Sequence, residues 1–469
     1  MNKYLCAYPW THLSLAYNGH VRPQCCYYEG FVDVFQDNVD IASVWNGQGM
    51  RNLREALVKG EFERTGCRDC AEKYSDAPFS FELSPVLTAR QQENAAACHT
   101  AYRNGSPISG KMPLHMALNF SPACNIRCIM CSQEELRIFG GQEKLFCDML
   151  QGQFKAFENV HVVNITGGEP LYSSECTQFI KHMCTNDSLL PVRLEITSNG
   201  TLLGNVLEVL SLRDNLHLAI SVDGLDETFE SVRRGAKFSA VQENVDSYLT
   251  LRAKLGKTRW DMTVGTVLMK TTIPSLPALA RWCVARNLKV GFMELIQTRE
   301  TSREDVLQDR SLLLEIPGWE ENISEAAAIF KQAGMFVSGV TLERYLQKLT
   351  KPVQHIETKF PIWKDGGLRK ALSSDIWDAK RVVVWGTGSY YRYNLAEWME
   401  TNRERFQFLG FVDNNEAIWG VEKDGFPVFA PTELVNLQPD IVVLGLQSCW
   451  RNKVVEQLEN MNLKEIFVV

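Results

Sequence analysis

Residues 115–131 read His115-Met-Ala-Leu-Asn-Phe-Ser-Pro-Ala-Cys124-Asn-Ile-Arg-Cys128-Ile-Met-Cys131. The run HMALNF (115–120) reads as a strand, and Ser121 and Pro122 break it. A loop then presents three cysteines at C-x3-C-x2-C spacing. Thiolates are soft ligands that suit iron–sulfur clusters, and a compact loop can set three of them around one cubane. Three ligands for four irons leave one iron open to a substrate or cofactor, as in catalytic metal sites generally. Cysteine makes up about 3% of the chain, so chance alone produces this spacing in roughly one such chain in a hundred. The plain alternatives are a zinc site lacking its fourth ligand, or three core cysteines.

Outward from this loop the pattern alternates. Apolar or β-branched runs recur at 160–166 (VHVVNIT), 193–198 (RLEITS), 216–223 (LHLAISVD), 261–269 (DMTVGTVLM) and 289–295 (KVGFMEL), with helical stretches such as TQFIKHMC and FSAVQENVDSYLTLRAKLG between them. Strands alternating with helices predict βαβ units and a parallel sheet. Six units are too few for a closed eight-stranded barrel, so the fold class is α/β with an open, partial (β/α)6 barrel over 113–298. Chemistry in such sheets sits at the C-terminal ends of the strands. A Cys-rich segment over 1–75 precedes the barrel, joined to it by a helical connector over 76–112. A second helical connector over 299–378 leads to a fresh α/β pattern over 379–469.

The strand ends carry polar turns. The second strand runs into Thr166-Gly167-Gly168-Glu169-Pro170, the third into Thr197-Ser198-Asn199-Gly200, and the fourth into Ser221-Val222-Asp223-Gly224, with Arg233 and Arg234 soon after. Glycines let backbone approach a ligand closely, and Glu169 offers a carboxylate for an ammonium. Read plainly, Ser, Asn, Asp and Gly are also what helix caps and turns require.

The triplet and the GGEP turn together resemble the radical SAM superfamily. The resemblance implies a 4Fe–4S cluster on Cys124, Cys128 and Cys131. Its open iron would chelate S-adenosylmethionine, and one electron would release a 5′-deoxyadenosyl radical. It further implies that Gly167, Gly168 and Glu169 hold the methionine amino group. Ser198, Asn199 and Ser221 would contact the ribose or the carboxylate, and Arg233 or Arg234 would pair with that carboxylate. No side chain is singled out as catalytic, because the cofactor carries the hard chemistry. A non-catalytic electron carrier or redox sensor is the contrasting class, but it has no need of a ligand-holding GGE turn.

Five cysteines lie in the first 70 residues: Cys6, Cys25, Cys26, Cys67 and Cys70. A C-x2-C pair with two further cysteines upstream supplies four thiolates, enough for a closed site. The segments Cys6-Ala-Tyr-Pro-Trp10, Gly19 to Cys26, Ser43-Val-Trp-Asn46 and Cys67-Arg-Asp-Cys70 resemble the SPASM module, or its shorter Twitch form. The resemblance implies a second, auxiliary 4Fe–4S cluster on Cys6, Cys25, Cys67 and Cys70, with Cys26 the rival of Cys25. A structural zinc ribbon on the same thiolates is the alternative. Such a module usually follows the barrel, and here it precedes it. His12 and His20 read as surface or packing residues. The scattered Cys98, Cys147, Cys176, Cys184, Cys283 and Cys449 read as small buried apolar residues.

Val382-Val-Val-Trp-Gly386-Thr-Gly388 is a strand entering a Gly-rich turn, but Tyr391 stands where a dinucleotide fingerprint needs its third glycine. Asp413 ends the next strand run, where dinucleotide folds place an acid. The region resembles small Rossmann-like domains of sugar-modifying enzymes.

Composition sets the outer bounds. The 469 residues, 45% hydrophobic and 22% charged, are ordinary for a globular chain of several domains. A net charge of −7 argues against a nucleic-acid partner. No apolar run approaches the roughly 18 residues of a membrane span, and the N-terminus lacks a secretory pattern, so a cytoplasmic location is expected. There, 14 cysteines favour metal ligation over disulfides. The resulting expectation is an enzyme abstracting hydrogen from a small sugar-like or nucleotide-linked substrate, with a peptide as the runner-up. Flavodoxin or ferredoxin is the expected type of reducing partner.

Overall fold

The structure is a computed structural model. It describes residues 6–23, 32–34, 40–61, 87–131, 143–295, 303–350, 375–387, 391, 395–445, 454–455, 457–461, 463 and 467–468. In chain order the N-terminal strands are β1 (His12–Ala16), β2 (His20–Arg22) and β3 (Asp33–Val34). The barrel strands follow as β4 (His115–Asn119), β5 (Arg127–Cys128), β6 (Val162–Thr166), β7 (Arg193–Ser198), β8 (Leu216–Ser221), β9 (Arg233–Arg234), β10 (Trp260–Leu268) and β11 (Lys289–Glu294).

One nine-stranded sheet has the order β11-β10-β8-β7-β6-β4-β1-β2-β3. All six strand runs expected of the barrel are present, within one or two residues at each end. Their pairings are parallel throughout. The burial pattern explains why these sequences make strands. In β7 and β8 alternate residues such as Leu194, Ile196, Leu218 and Ile220 are buried. They pack against helices such as Ser174–Thr185, which contributes Phe179, Ile180 and Met183 to the same core. The other phase, including Glu195, His217 and Thr263, lies on the opposite, concave face and is only half-buried.

The N-terminal segment is not sealed off from the barrel. β1 pairs parallel with β4, placing Ser14 beside Ala117, so the sheet runs unbroken into the Cys-rich region. A buried guanidinium locks this junction. Arg54, on the helix Gln48–Lys59, donates to Pro9 O and Pro107 O at 2.8 Å, to Trp45 O at 2.9 Å and to Asn46 Oδ1 at 3.1 Å. Four acceptors satisfy a charge that would otherwise be costly to bury. The expected connector helix runs Ala89–Arg103; a Thr88–Gln91 capping box starts it, and Gly105 follows its end with φ 61°.

Helices Trp319–Gln332 and Phe336–Thr350 pack beyond the barrel. The C-terminal strands are β12 (Arg381–Trp385), β13 (Gln407–Val412), β14 (Glu422–Lys423), β15 (Phe426–Phe429), β16 (Ile441–Leu444) and β17 (Phe467–Val468). They form a separate sheet of order β14-β15-β13-β12-β16-β17, parallel except at β14. No described helix is long and apolar enough to cross a membrane.

Candidate active site

The cysteine loop leaves the C-terminal end of β4, and the end of β6 grips it. Gly168 N–H donates to Ser121 O at 2.7 Å, and Glu169 N–H to Ala123 O at 2.8 Å. A Cβ on Gly168 would stand 2.1 Å from Ala123 O; one on Gly167, whose φ is 144°, would stand 2.5 Å from Ser121 O. The close approach expected of these glycines is therefore made to the backbone that launches the cysteines. Side chains here would push the loop away.

Glu169 is almost fully buried. Its carboxylate accepts from Ser198 Oγ at 2.9 Å, Leu171 N at 3.1 Å and Asn199 N at 2.6 Å. Burial pushes this carboxyl up, and those hydrogen bonds oppose the shift. Glu169 thus fastens the end of β6 to the end of β7. Asn199 passes the connection on: its Nδ2 donates to Asn125 Oδ1 at 2.9 Å and points at Cys124 Sγ at 3.8 Å. Asn125 Nδ2 in turn donates to Thr201 Oγ1 at 2.9 Å.

The far side of the loop is held by a two-stranded ribbon. β5 pairs antiparallel with β9, setting Cys128 opposite Arg233. The Arg233 guanidinium approaches Cys128 Sγ at 3.6 Å and forms an ion pair with Asp223 at 2.6 Å. The three thiols are close enough to affect one another. Burial pushes the Cys128 thiol up to about 11; Arg233 opposes this, while Asp223, Cys131 and Cys124 add to it. Soft thiols on one loop, partly exposed at the C-terminal edge of the sheet, are a donor set that fits an iron–sulfur cluster.

Cys124, Cys128, Cys131, Gly167, Gly168, Glu169, Ser198, Asn199 and Arg233 therefore form one connected network. Ser221 ends β8 beside Gly265 of β10, on the same edge. Asp223 is a further site residue, fully buried against Arg233; its only mark in the sequence is a carboxylate at a strand end ten positions before that arginine. Cys6 precedes β1 by six residues and so comes before the N-terminal end of the β1–β4 ladder, whereas Cys124 follows the C-terminal end of β4. Cys25, Cys26, Cys67 and Cys70 lie outside the described residues. Cys98, Cys147, Cys176, Cys184 and Cys283 are buried, as small apolar residues should be; Cys449 also lies outside the described residues. His12 packs between Tyr8 and His115, with ring centroids 4.2 and 4.9 Å away.

In the C-terminal sheet, Asp413 accepts from Thr387 N at 2.9 Å and Thr387 Oγ1 at 2.8 Å. The acid that a dinucleotide fold would offer to a ribose here braces the glycine turn instead.

The sequence matches the radical SAM superfamily over residues 118–272. It matches the SPASM iron-sulfur cluster-binding domain over 6–71, and the C2185-like, N-terminal domain over 378–468. GTP 3',8-cyclase 1 of Pseudomonas aeruginosa is 26% identical over 200 residues, which cover 42% of this chain and 58% of that protein. The chain thus spans little more than half the length of that curated relative. SuiB of Streptococcus suis is similar in structure with a TM-score of 0.35 and 15% identity, over 60% of this chain and 61% of that one. Native anSMEcpe with bound AdoMet superposes with a TM-score of 0.31 and 16% identity, over 47% and 60%.

Proposed function

We propose, from the premise that the chain belongs to the radical SAM superfamily and carries a SPASM domain ahead of its barrel, that it is an enzyme whose Cys124, Cys128 and Cys131 hold a 4Fe–4S cluster. When bound, the cluster supplies the electron that cleaves S-adenosylmethionine and so provides a radical to remove hydrogen from an organic substrate. The observation that carries this reading is the convergence of three strand ends on the cysteine loop through Glu169. Gly167 and Gly168 hold the loop's backbone, and Ser198 and Asn199 orient Glu169 and Cys124. Ser221, at the end of β8, would contact the ribose or the carboxylate of S-adenosylmethionine.

The SPASM match supports a second cluster on Cys6, Cys25, Cys67 and Cys70, with Cys26 the rival of Cys25. A flavodoxin- or ferredoxin-type protein is the proposed reductant. The proposed substrate is a small sugar-like or nucleotide-linked molecule, with a peptide as the second possibility. Partial similarity to a protein named for GTP favours the first. Asp413 is already engaged by Thr387, which favours a substrate at the barrel mouth over one in the C-terminal glycine turn.

The test is anaerobic reconstitution followed by S-adenosylmethionine and dithionite. The wild type is expected to release 5′-deoxyadenosine and Cys128→Ala to release none. Release by Cys128→Ala would break the ligand assignment, and no release by the wild type would leave an electron carrier. Cys67→Ala should lose about half the iron while still cleaving the cofactor. Nucleotide sugars and small peptides, added in turn, identify the substrate class by which one raises deoxyadenosine release.

A further inference from the structure

Arg233 is nine-tenths buried, and its partners account for only part of it. One terminal nitrogen faces Cys128 Sγ at 3.6 Å. The other lies 2.6 Å from Asp223 Oδ2, a side chain with no exposure at all. That contact is electrostatic and poorly aimed, since Asp223 Oδ2 makes no hydrogen bond of good geometry; Arg233 Nε is also without one. Asp223 is itself pinned by Val267 N–H, which donates to its Oδ1 at 2.6 Å. The backbone fixes the guanidinium in turn, through the β5–β9 pairing and through Ile129 N–H donating to Val232 O at 2.9 Å. Arg233 has been set against one particular sulfur.

We infer that Arg233 is a positioning residue that sets the reduction potential of the cluster on Cys124, Cys128 and Cys131, with Asp223 holding it in place and offsetting part of its charge. This rests on the cluster assignment proposed above. It replaces the expectation that Arg233 pairs with the cofactor's carboxylate. Reduction adds one electron, supplied by the external reductant, and makes the cluster and its thiolates more negative. A cation and an N–H donor beside a ligating sulfur favour that reduced state and raise the potential. A buried carboxylate behind the cation works the other way. The pair is therefore a balance, with the guanidinium nearer the sulfur.

The experiment is a potentiometric titration of anaerobically reconstituted full-length protein, followed by electron paramagnetic resonance. The signal to follow is the one that S-adenosylmethionine perturbs, which separates this cluster from the auxiliary one. Arg233→Gln should shift the midpoint to a lower potential, Arg233→Lys should shift it less, and Asp223→Asn should shift it to a higher one. The dissociation constant for S-adenosylmethionine should stay within a few-fold of wild type. Unmoved midpoints with intact signals overturn the inference. An unmoved midpoint with much weaker cofactor binding does so in favour of a carboxylate contact. If Arg233→Gln does not assemble a cluster, Asp223→Asn decides alone by the presence or absence of its upward shift. A wild type with no cofactor-sensitive signal overturns the cluster assignment itself.

Discussion

The carboxylate of Glu169 accepts the backbone N–H of Asn199 at 2.6 Å, joining the ends of two neighbouring strands across the base of the cysteine loop. A residue that reads as a ligand for an ammonium group is, in the fold, the clamp that gives the site its shape. Three donors converge on it.

Removing the clamp should therefore cost stability as well as chemistry. Glu169→Ala leaves Leu171 N–H, Asn199 N–H and the Ser198 hydroxyl facing an apolar methyl. Each buried unpaired donor costs about 1–3 kcal/mol. We expect a fall of several kcal/mol in unfolding free energy, measured by urea denaturation, together with loss of 5′-deoxyadenosine release. Glu169→Gln keeps the volume but presents an amide NH2 to donors. It should lie between the alanine variant and the wild type.

Gly168→Ala tests the grip on the loop. Its methyl would stand 2.1 Å from Ala123 O and 2.4 Å from Pro122 O, both backbone atoms that cannot rotate away. Displacing them shifts the start of the cysteine loop, and overpacking of this kind costs about 1–3 kcal/mol. The expected result is a folded protein whose iron and sulfide content falls by about one cluster, with the circular dichroism of the sheet retained. Full iron content would show that the loop tolerates the shift.

The concave face should make the barrel acid-sensitive in two windows. Burial, helped by His115, lowers His12 from 6.5 to about 3. As pH falls below 6.5 the unfolded chain takes up a proton that the folded chain refuses, so stability declines until about pH 3. Glu195 is the opposite case in mechanism. Burial alone would raise its carboxyl, but His217, 3.6 Å away, and the hydrogen bond from Arg193 at 2.9 Å outweigh burial and hold it at about 2, against an ordinary 4.5. Its stabilisation, about 3 kcal/mol at most, is present above pH 4.5 and is lost as pH falls toward 2. Urea midpoints across pH 8 to 3 should flatten between 6.5 and 4.5 in His12→Asn, and below 4.5 in Glu195→Gln.

Asp413→Ala separates bracing from binding in the C-terminal sheet. Thr387 N–H and its hydroxyl lose their acceptor, as does Asn415 N–H at 2.9 Å. The C-terminal region should unfold at a lower temperature by calorimetry, with S-adenosylmethionine cleavage unchanged. A variant of normal thermal stability that loses affinity for a nucleotide would mark Asp413 as a ligand contact.

Much of this was legible in the chain itself. Residues 115–120, 160–166 and 193–198 announce strands because a parallel sheet covered by helices needs apolar, β-branched runs of that length. The spacing of Cys124, Cys128 and Cys131 specifies its chemistry because three ligands on one short loop need no tertiary structure to bring them together. Local sequence likewise determined that glycines stand at 167 and 168. Only the tertiary structure decided what they are for, since the atoms they make room for belong to residues 121–123, more than forty positions earlier. The same holds for β1 entering the barrel sheet beside β4, a pairing across about a hundred residues. It holds too for Arg233, which the chain marks as a cation near the site and the β5–β9 ribbon turns toward Cys128. Ligand type and spacing are properties of a segment; which buried charge meets which sulfur depends on the closure of long loops, and only packing and burial of the whole sheet determine that.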